Sequence, residues 1–155
     1  MVRMITSSLF VFGVMSLPVA LSPHQTPARP DYRDDPRLES LKTFFRDADC
    51  PAAEYAAAFL EAADRNLLDW RLLPSLSYVE STGGKSARHN NLFGWDSGRA
   101  HFPSPIAGIH AVGYRLSHSD IYKDKPLDKL LATYNPSIEY VRKVKSIMRR
   151  ISPSE

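Results

Sequence analysis

The chain has 155 residues, 43% hydrophobic and 24% charged, with a formal net charge of +3 from 20 basic and 17 acidic side chains. That length and composition suit one globular domain. So mild a charge excludes the strong field of a nucleic-acid binder, and the single cysteine, Cys50, excludes an internal disulfide.

Arg3 precedes an uncharged, mostly apolar run from Met4 to Ser22. The run is too short and too poorly flanked for a membrane span, and it reads as a secretory signal peptide over residues 1–20, cut after Ala20. The alternative is an uncleaved N-terminal anchor. Loss of residues 1–20 removes one Arg and no acid, which leaves a net charge of +2. The expected location is therefore outside the cytoplasm, in a periplasm or the medium. Residues 21–36, LSPHQTPARPDYRDDP, are rich in Pro and charge and are expected to form a flexible linker. The folded domain is expected over residues 37–151. Without disulfides it must rely on a packed core.

Most of that domain reads as helix. Leu38, Leu41, Phe44 and Phe45 keep helical spacing. Cys50 sits at a helix boundary and reads as a small buried residue. A second helix is expected from Pro51 to about Asn66, with Tyr55, Phe59 and Leu60 on its apolar side. A third, short helix is expected from about Pro74 to Ser81 or Thr82, stopped by Gly83 and Gly84. Ser104 and Pro105 look like the N-cap and first residue of a fourth, with Ile106, Ile109, Gly113 and Leu116 as its stripe. Gly108 and Gly113 inside it imply close packing. Leu127, Leu130, Leu131 and Tyr134 form another short helix. Asn135-Pro136 opens the last, with Val141, Val144, Met148 and Ile151 inward. Its cations, Arg142, Lys143, Lys145, Arg149 and Arg150, read as a solvated face, or as a surface attracted to an anionic wall polymer or membrane. Between the third and fourth helices, SARHNNLFGWDSGRAHF is too irregular for a helix and leaves room for a short hairpin.

Residues 79–86, VESTGGKS, end like a phosphate-binding loop. That motif needs a Gly five residues before Gly84, where Val79 stands, and a β-branched residue resists the positive φ required. Glu80 carries the better chemistry. It follows Leu76 by four residues and Leu73 by seven, so it ends an apolar helical stripe. Partial shielding of this kind favours a protonated carboxyl, which suits a general acid for glycosidic oxygen. The plain alternative is a local pair with Lys85 or Arg88. Downstream, Asn90 and Asn91 offer amides for hydroxyl and acetamido groups. Phe93 and Trp95 offer flat faces for sugar rings. His89, His101, His110 and His118 form no H-E-x-x-H pattern, and no cofactor or metal is expected.

The stretch LLPSLSYVESTGGKSARHNNLFGWDSG resembles the catalytic segment of the bacterial glucosaminidase family, within the lysozyme-like superfamily. Glu80-Ser81, Gly84-Lys85-Ser86 and Asn90-Asn91-Leu92-Phe93-Gly94 match in order. Phe102 and Ser104 resemble the family's aromatic-then-Ser approach to the next helix, and Tyr134-Asn135-Pro136 with Tyr140 its closing segment. The similarity spans about residues 68–151. Two departures stand out. Gly83 replaces a Trp common in relatives, and the segment from Gly98 to Ser104 is short where relatives have a longer lobe. The second suggests a more open cleft.

The resemblance implies a mainly α, lysozyme-like domain whose substrate is the β-1,4-linked amino-sugar backbone of peptidoglycan. Glu80 would protonate the leaving oxygen. Ser81 would orient Glu80 or a substrate group, while Asn91 and the Phe93–Trp95 segment would line the cleft and Tyr134 would approach from the opposite side. Asp96 is the candidate second carboxylate, with a role in its own Asp-Ser-Gly turn as the alternative. Without it, the substrate's acetamido group would stabilise the cation. Hydrolysis and formation of a 1,6-anhydro end both stay open, as do chitin or an N-glycan core as substrate and a wall-binding module without turnover. The chain is expected to act as a monomer, with no nucleic-acid partner.

Overall fold

The computed structural model describes residues 30–153. The expected signal peptide and residues 21–29 of the expected linker lie outside the described residues. Among the described residues, 59% are helical and no strand forms. No helix there is long and apolar enough to cross a membrane.

Helix α1 (Pro36–Asp47) starts where Asp35 accepts a hydrogen bond from the Arg37 N–H, with Pro36 in the first turn. Leu38, Leu41, Phe44 and Phe45 face the core as the periodicity requires. The helix expected from Pro51 has two parts. A 3₁₀ turn, Pro51–Tyr55, comes first because the Ala52 N–H is drawn to the Gly83 carbonyl at 3.0 Å. Helix α2 (Ala56–Arg65) follows, buried over most of its circumference by Ala, Phe and Leu side chains.

Helix α3 (Leu72–Ser81) begins two residues before Pro74. Proline is tolerated there because the first N–H groups of a helix have no partner within it. Helix α4 (Pro105–His118) is capped by Ser104, whose Oγ accepts from the Ala107 N–H at 3.1 Å. Its inward stripe is Ile109, Val112, Gly113 and Leu116, whereas Ile106 is exposed in the first turn. A Cβ on Gly108 would sit 3.0 Å from the Phe102 ring, and one on Gly113 would sit 3.3 Å from Leu73, so both glycines permit close approach. Helices α5 (Leu127–Tyr134) and α6 (Ile138–Ile151) complete the chain. Val141, Val144, Ile147, Met148 and Ile151 give α6 its buried face.

Helix α3 packs on α6, α2 on α4, and α1 on α2. The rings of Phe45 and Phe59 stack at 5.7 Å, and Phe59 meets Phe93 edge-on at 6.4 Å. This aromatic column joins α1, α2 and the central loop.

The linker expectation fails at its C-terminal end. Tyr32 is only 7% exposed, and its hydroxyl donates to Asp64 at 3.0 Å. Arg37 then bridges Asp35 and Asp64 at 2.7 and 2.8 Å. Pro and charge read locally as disorder, but these charges pair across α1 and α2. The Arg37 guanidinium holds both Asp35 and Asp64 below the usual aspartate range. Carboxylates with depressed values stabilise the fold above the unfolded value of 3.8, and that stability is lost as pH falls below it. Urea unfolding between about pH 6 and about pH 3 should therefore show falling stability. Asp64→Asn should flatten that slope, and an unchanged slope would remove Asp64 from the explanation.

Candidate active site

Helix α3 ends at Ser81 because Thr82 turns left-handed, with φ 52°, and Gly83 follows at φ 58°. The N–H groups of Thr82 and Gly83 then close on the carbonyls of Tyr78 and Ser77. Glu80 lies in the last turn, half-buried. Its carboxyl does not pair with Lys85, whose Nζ reaches the Ala48 carbonyl at 2.8 Å. The partner is Tyr140 on α6, which donates its hydroxyl hydrogen to Glu80 Oε1 at 2.7 Å.

Gly94 covers the other oxygen. A Cβ there would sit 3.0 Å from Glu80 Oε2, and the residue adopts φ +57°. The backbone of the central loop thus lies directly against the carboxyl. Tyr134 fixes that loop by donating to the Phe93 carbonyl at 2.6 Å. Its ring is parallel to that of Tyr140, with centroids 6.0 Å apart. Burial foremost raises both tyrosine hydroxyls above their ordinary value, followed by the Glu80 charge for Tyr134 and the hydrogen bond to Glu80 for Tyr140. Both therefore remain protonated donors.

A groove of about 400 Å³ opens on this carboxyl, lined by Val79, Glu80, Asn135, Ser137, Glu139, Tyr140 and Lys143. A smaller recess of about 140 Å³ is lined by Gly94, Trp95, Asp96, Ser97, Tyr122 and Tyr134. Trp95 lies 5.7 Å from Tyr134 and 6.0 Å from Tyr122, with the Arg115 guanidinium 5.5 Å from its ring centre. A larger depression of about 460 Å³, between α1 and the end of α6, holds none of these residues.

Several residues expected to meet substrate do other work. The Phe93 ring is 0% exposed and belongs to the core. Only its carbonyl serves the site, through Tyr134. Ser81 is also buried. Its Oγ donates to the Leu92 carbonyl at 2.7 Å and accepts from the Gly84 N–H at 3.0 Å, so it fastens the helix end to the loop. Asn91 accepts from the Trp95 N–H at 2.9 Å and donates to the Trp95 carbonyl at 3.0 Å. With its amide satisfied and 3% exposed, Asn91 shapes the loop instead of facing a ligand. Asn90 is exposed and donates to the Phe102 carbonyl at 2.8 Å. Asp96 is exposed at φ 54° and pairs with Arg99 at 2.7 Å, which is the turn role. Trp95 and Tyr134 keep surface on the recess. The expected hairpin is a single antiparallel bridge, Arg88 to Asn91.

Gly83, the departure from the resembled pattern, is not at the cleft. It lies under Cys50 and Phe45, where a Cβ would come within 2.7 Å of the Cys50 Cβ. Asn135, Ser137, Glu139 and Lys143 line the groove although nothing near Glu80 in sequence indicated them. The recurrence of Tyr at 134 and 140 was the available signal, and it lies 60 residues from Glu80. Among the described residues, no group of three or more His, Cys, Asp or Glu is arranged to hold a metal ion. No family model, curated protein or solved structure matches the chain.

Proposed function

We propose that this chain is an exported glycosidase of lysozyme-like fold that cleaves the β-1,4-linked N-acetylglucosamine/N-acetylmuramic acid backbone of peptidoglycan. One observation carries the reading. A half-buried carboxyl at a helix end is held by a tyrosine hydroxyl at 2.7 Å and opens on a polar groove. Glycoside cleavage needs a positioned acid at the leaving oxygen.

In this reading Glu80 gives a proton to the glycosidic oxygen as the C1–O bond breaks. The Asp96–Arg99 ion pair leaves the loop without a free second carboxylate. That favours the substrate's own acetamido oxygen as the group that bonds C1 and carries the developing charge. Water or the sugar's 6-hydroxyl then displaces it, and the Glu80 carboxylate takes the released proton. Water gives a reducing end, and the 6-hydroxyl gives a 1,6-anhydro end. Mass spectrometry of fragments released from purified peptidoglycan tests the reading and distinguishes these ends. No fragment of either kind would overturn it.

Tyr140 is a positioning residue here. Tyr140→Phe should lower kcat on the order of tenfold, the cost of a hydrogen bond to the carboxylate charge that develops as the proton leaves, with KM little changed. A rise in KM at unchanged kcat would instead make Tyr140 a plain binding residue.

A further inference from the structure

Lys143 stands one turn beyond Glu139 on α6 and lines the groove at Glu80. It is the only cation among the described residues that line that groove. No hydrogen-bond or ion-pair partner reaches it among the described residues. Of the other α6 cations, Arg142 and Arg149 do not line the groove, and two are engaged. Lys145 pairs with Asp128 at 2.7 Å, and Arg150 lies over the rings of Phe44 and Tyr78 at 5.5 and 5.7 Å.

Residues seven apart share a helix side. Lys143 and Arg150 are therefore about 10.5 Å apart along α6, at about 1.5 Å of rise per residue. That is close to the length of one β-1,4-linked disaccharide. Their side of α6 borders α3, because Val79 lines the groove and Tyr78 lies under Arg150. A glycan strand seated in the groove at Glu80 meets the unpaired ammonium of Lys143. Glu139 and Ser137 can accept from sugar hydroxyl and acetamide N–H groups, but only Lys143 in the groove complements a carboxylate.

We propose that Lys143 reads the free lactyl carboxylate of N-acetylmuramic acid on glycan that carries no stem peptide, so that the groove selects an acidic amino-sugar glycan over a neutral one such as chitin. The proposal rests on the glycan reading of the Glu80 groove. A neutral sugar offers an ammonium only uncharged acceptors for the hydration it sheds, whereas a carboxylate offsets that loss more fully.

The test is equilibrium binding to the full chain by calorimetry. The probes are an N-acetylglucosamine–N-acetylmuramic acid tetrasaccharide, its methyl ester and chitotetraose. The acid form should bind about three- to fivefold more tightly than its ester, the scale of an ion pair open to solvent. Lys143→Gln should bring that ratio to about one, and added salt should shrink it in the wild type. Glu139→Gln should keep or raise the ratio. Equal binding of acid and ester by the wild type, or a ratio that persists in Lys143→Gln, would overturn the assignment of Lys143 alone. Failure to bind any of the three sugars would overturn the glycan reading and this proposal together.

Discussion

Glu80→Gln should reduce fragment release from purified peptidoglycan by about 10²- to 10⁴-fold, the range for loss of a positioned proton donor. The substitution keeps size and shape and removes only the transferable proton. Tyr140 can still donate to the amide oxygen, and Gly94 still leaves room beside the other atom. The variant should therefore keep the wild-type unfolding midpoint and glycan affinity, so that the loss is chemical and not structural. Equal release by wild type and variant would mean that Glu80 performs no proton transfer. Absence of release from both would leave a wall-glycan-binding module with an enzyme-like groove.

Gly83→Ala should destabilise the fold by about 3 kcal/mol, by adding a left-handed non-glycine residue to an overpacked contact. The added Cβ would meet Cys50 Cβ at 2.7 Å and Sγ at 3.0 Å, with the Phe45 ring at 3.2 Å. Cys50 cannot swing away easily, because it is buried and its Sγ lies 3.4 Å from the Ala48 carbonyl. Gly84→Ala is the control. It also has positive φ, but its Cβ would find Pro51 at an ordinary 3.8 Å. Its cost should be nearer 1 kcal/mol, the conformational part alone. Urea denaturation of both variants measures the difference. Equal costs would show that the Cys50 contact relaxes. A Trp at position 83, as in the resembled family, cannot be accommodated under Cys50 without moving α1.

Much of the helical plan is written in local chemistry. Asp35-Pro36 and Ser104-Pro105 start helices because a side-chain acceptor and a missing N–H suit the first turn wherever the chain lies. Gly83 and Gly84 follow the end of α3 because they take positive φ with no Cβ penalty, although the left-handed turn begins one residue earlier at Thr82. The stripes of α1 and α6 follow from a period that local sequence sets. The position of Glu80 in the last turn of α3 belongs to this class. Residues 32–34 do not. Their composition reads as disordered, and only Asp64, 32 residues after Tyr32, reveals the anchor.

The site itself divides in the same way. A carboxyl at the end of an apolar helix, with a turn-rich, aromatic loop after it, is legible along the chain. Which members of that loop face solvent was decided by tertiary structure. Phe93 entered the core, Asn91 spent its amide on Trp95, and Asp96 turned to Arg99, because each contact satisfies apolar surface or polar groups that would otherwise be exposed or orphaned. The pairing of Glu80 with Tyr140 and the nearness of Lys143 were likewise fixed only when α6 docked on α3. Hydrogen-bond caps and helical period act over a few residues and can be read along the chain. Contacts across 60 residues depend on how helices pack, which no local pattern specifies.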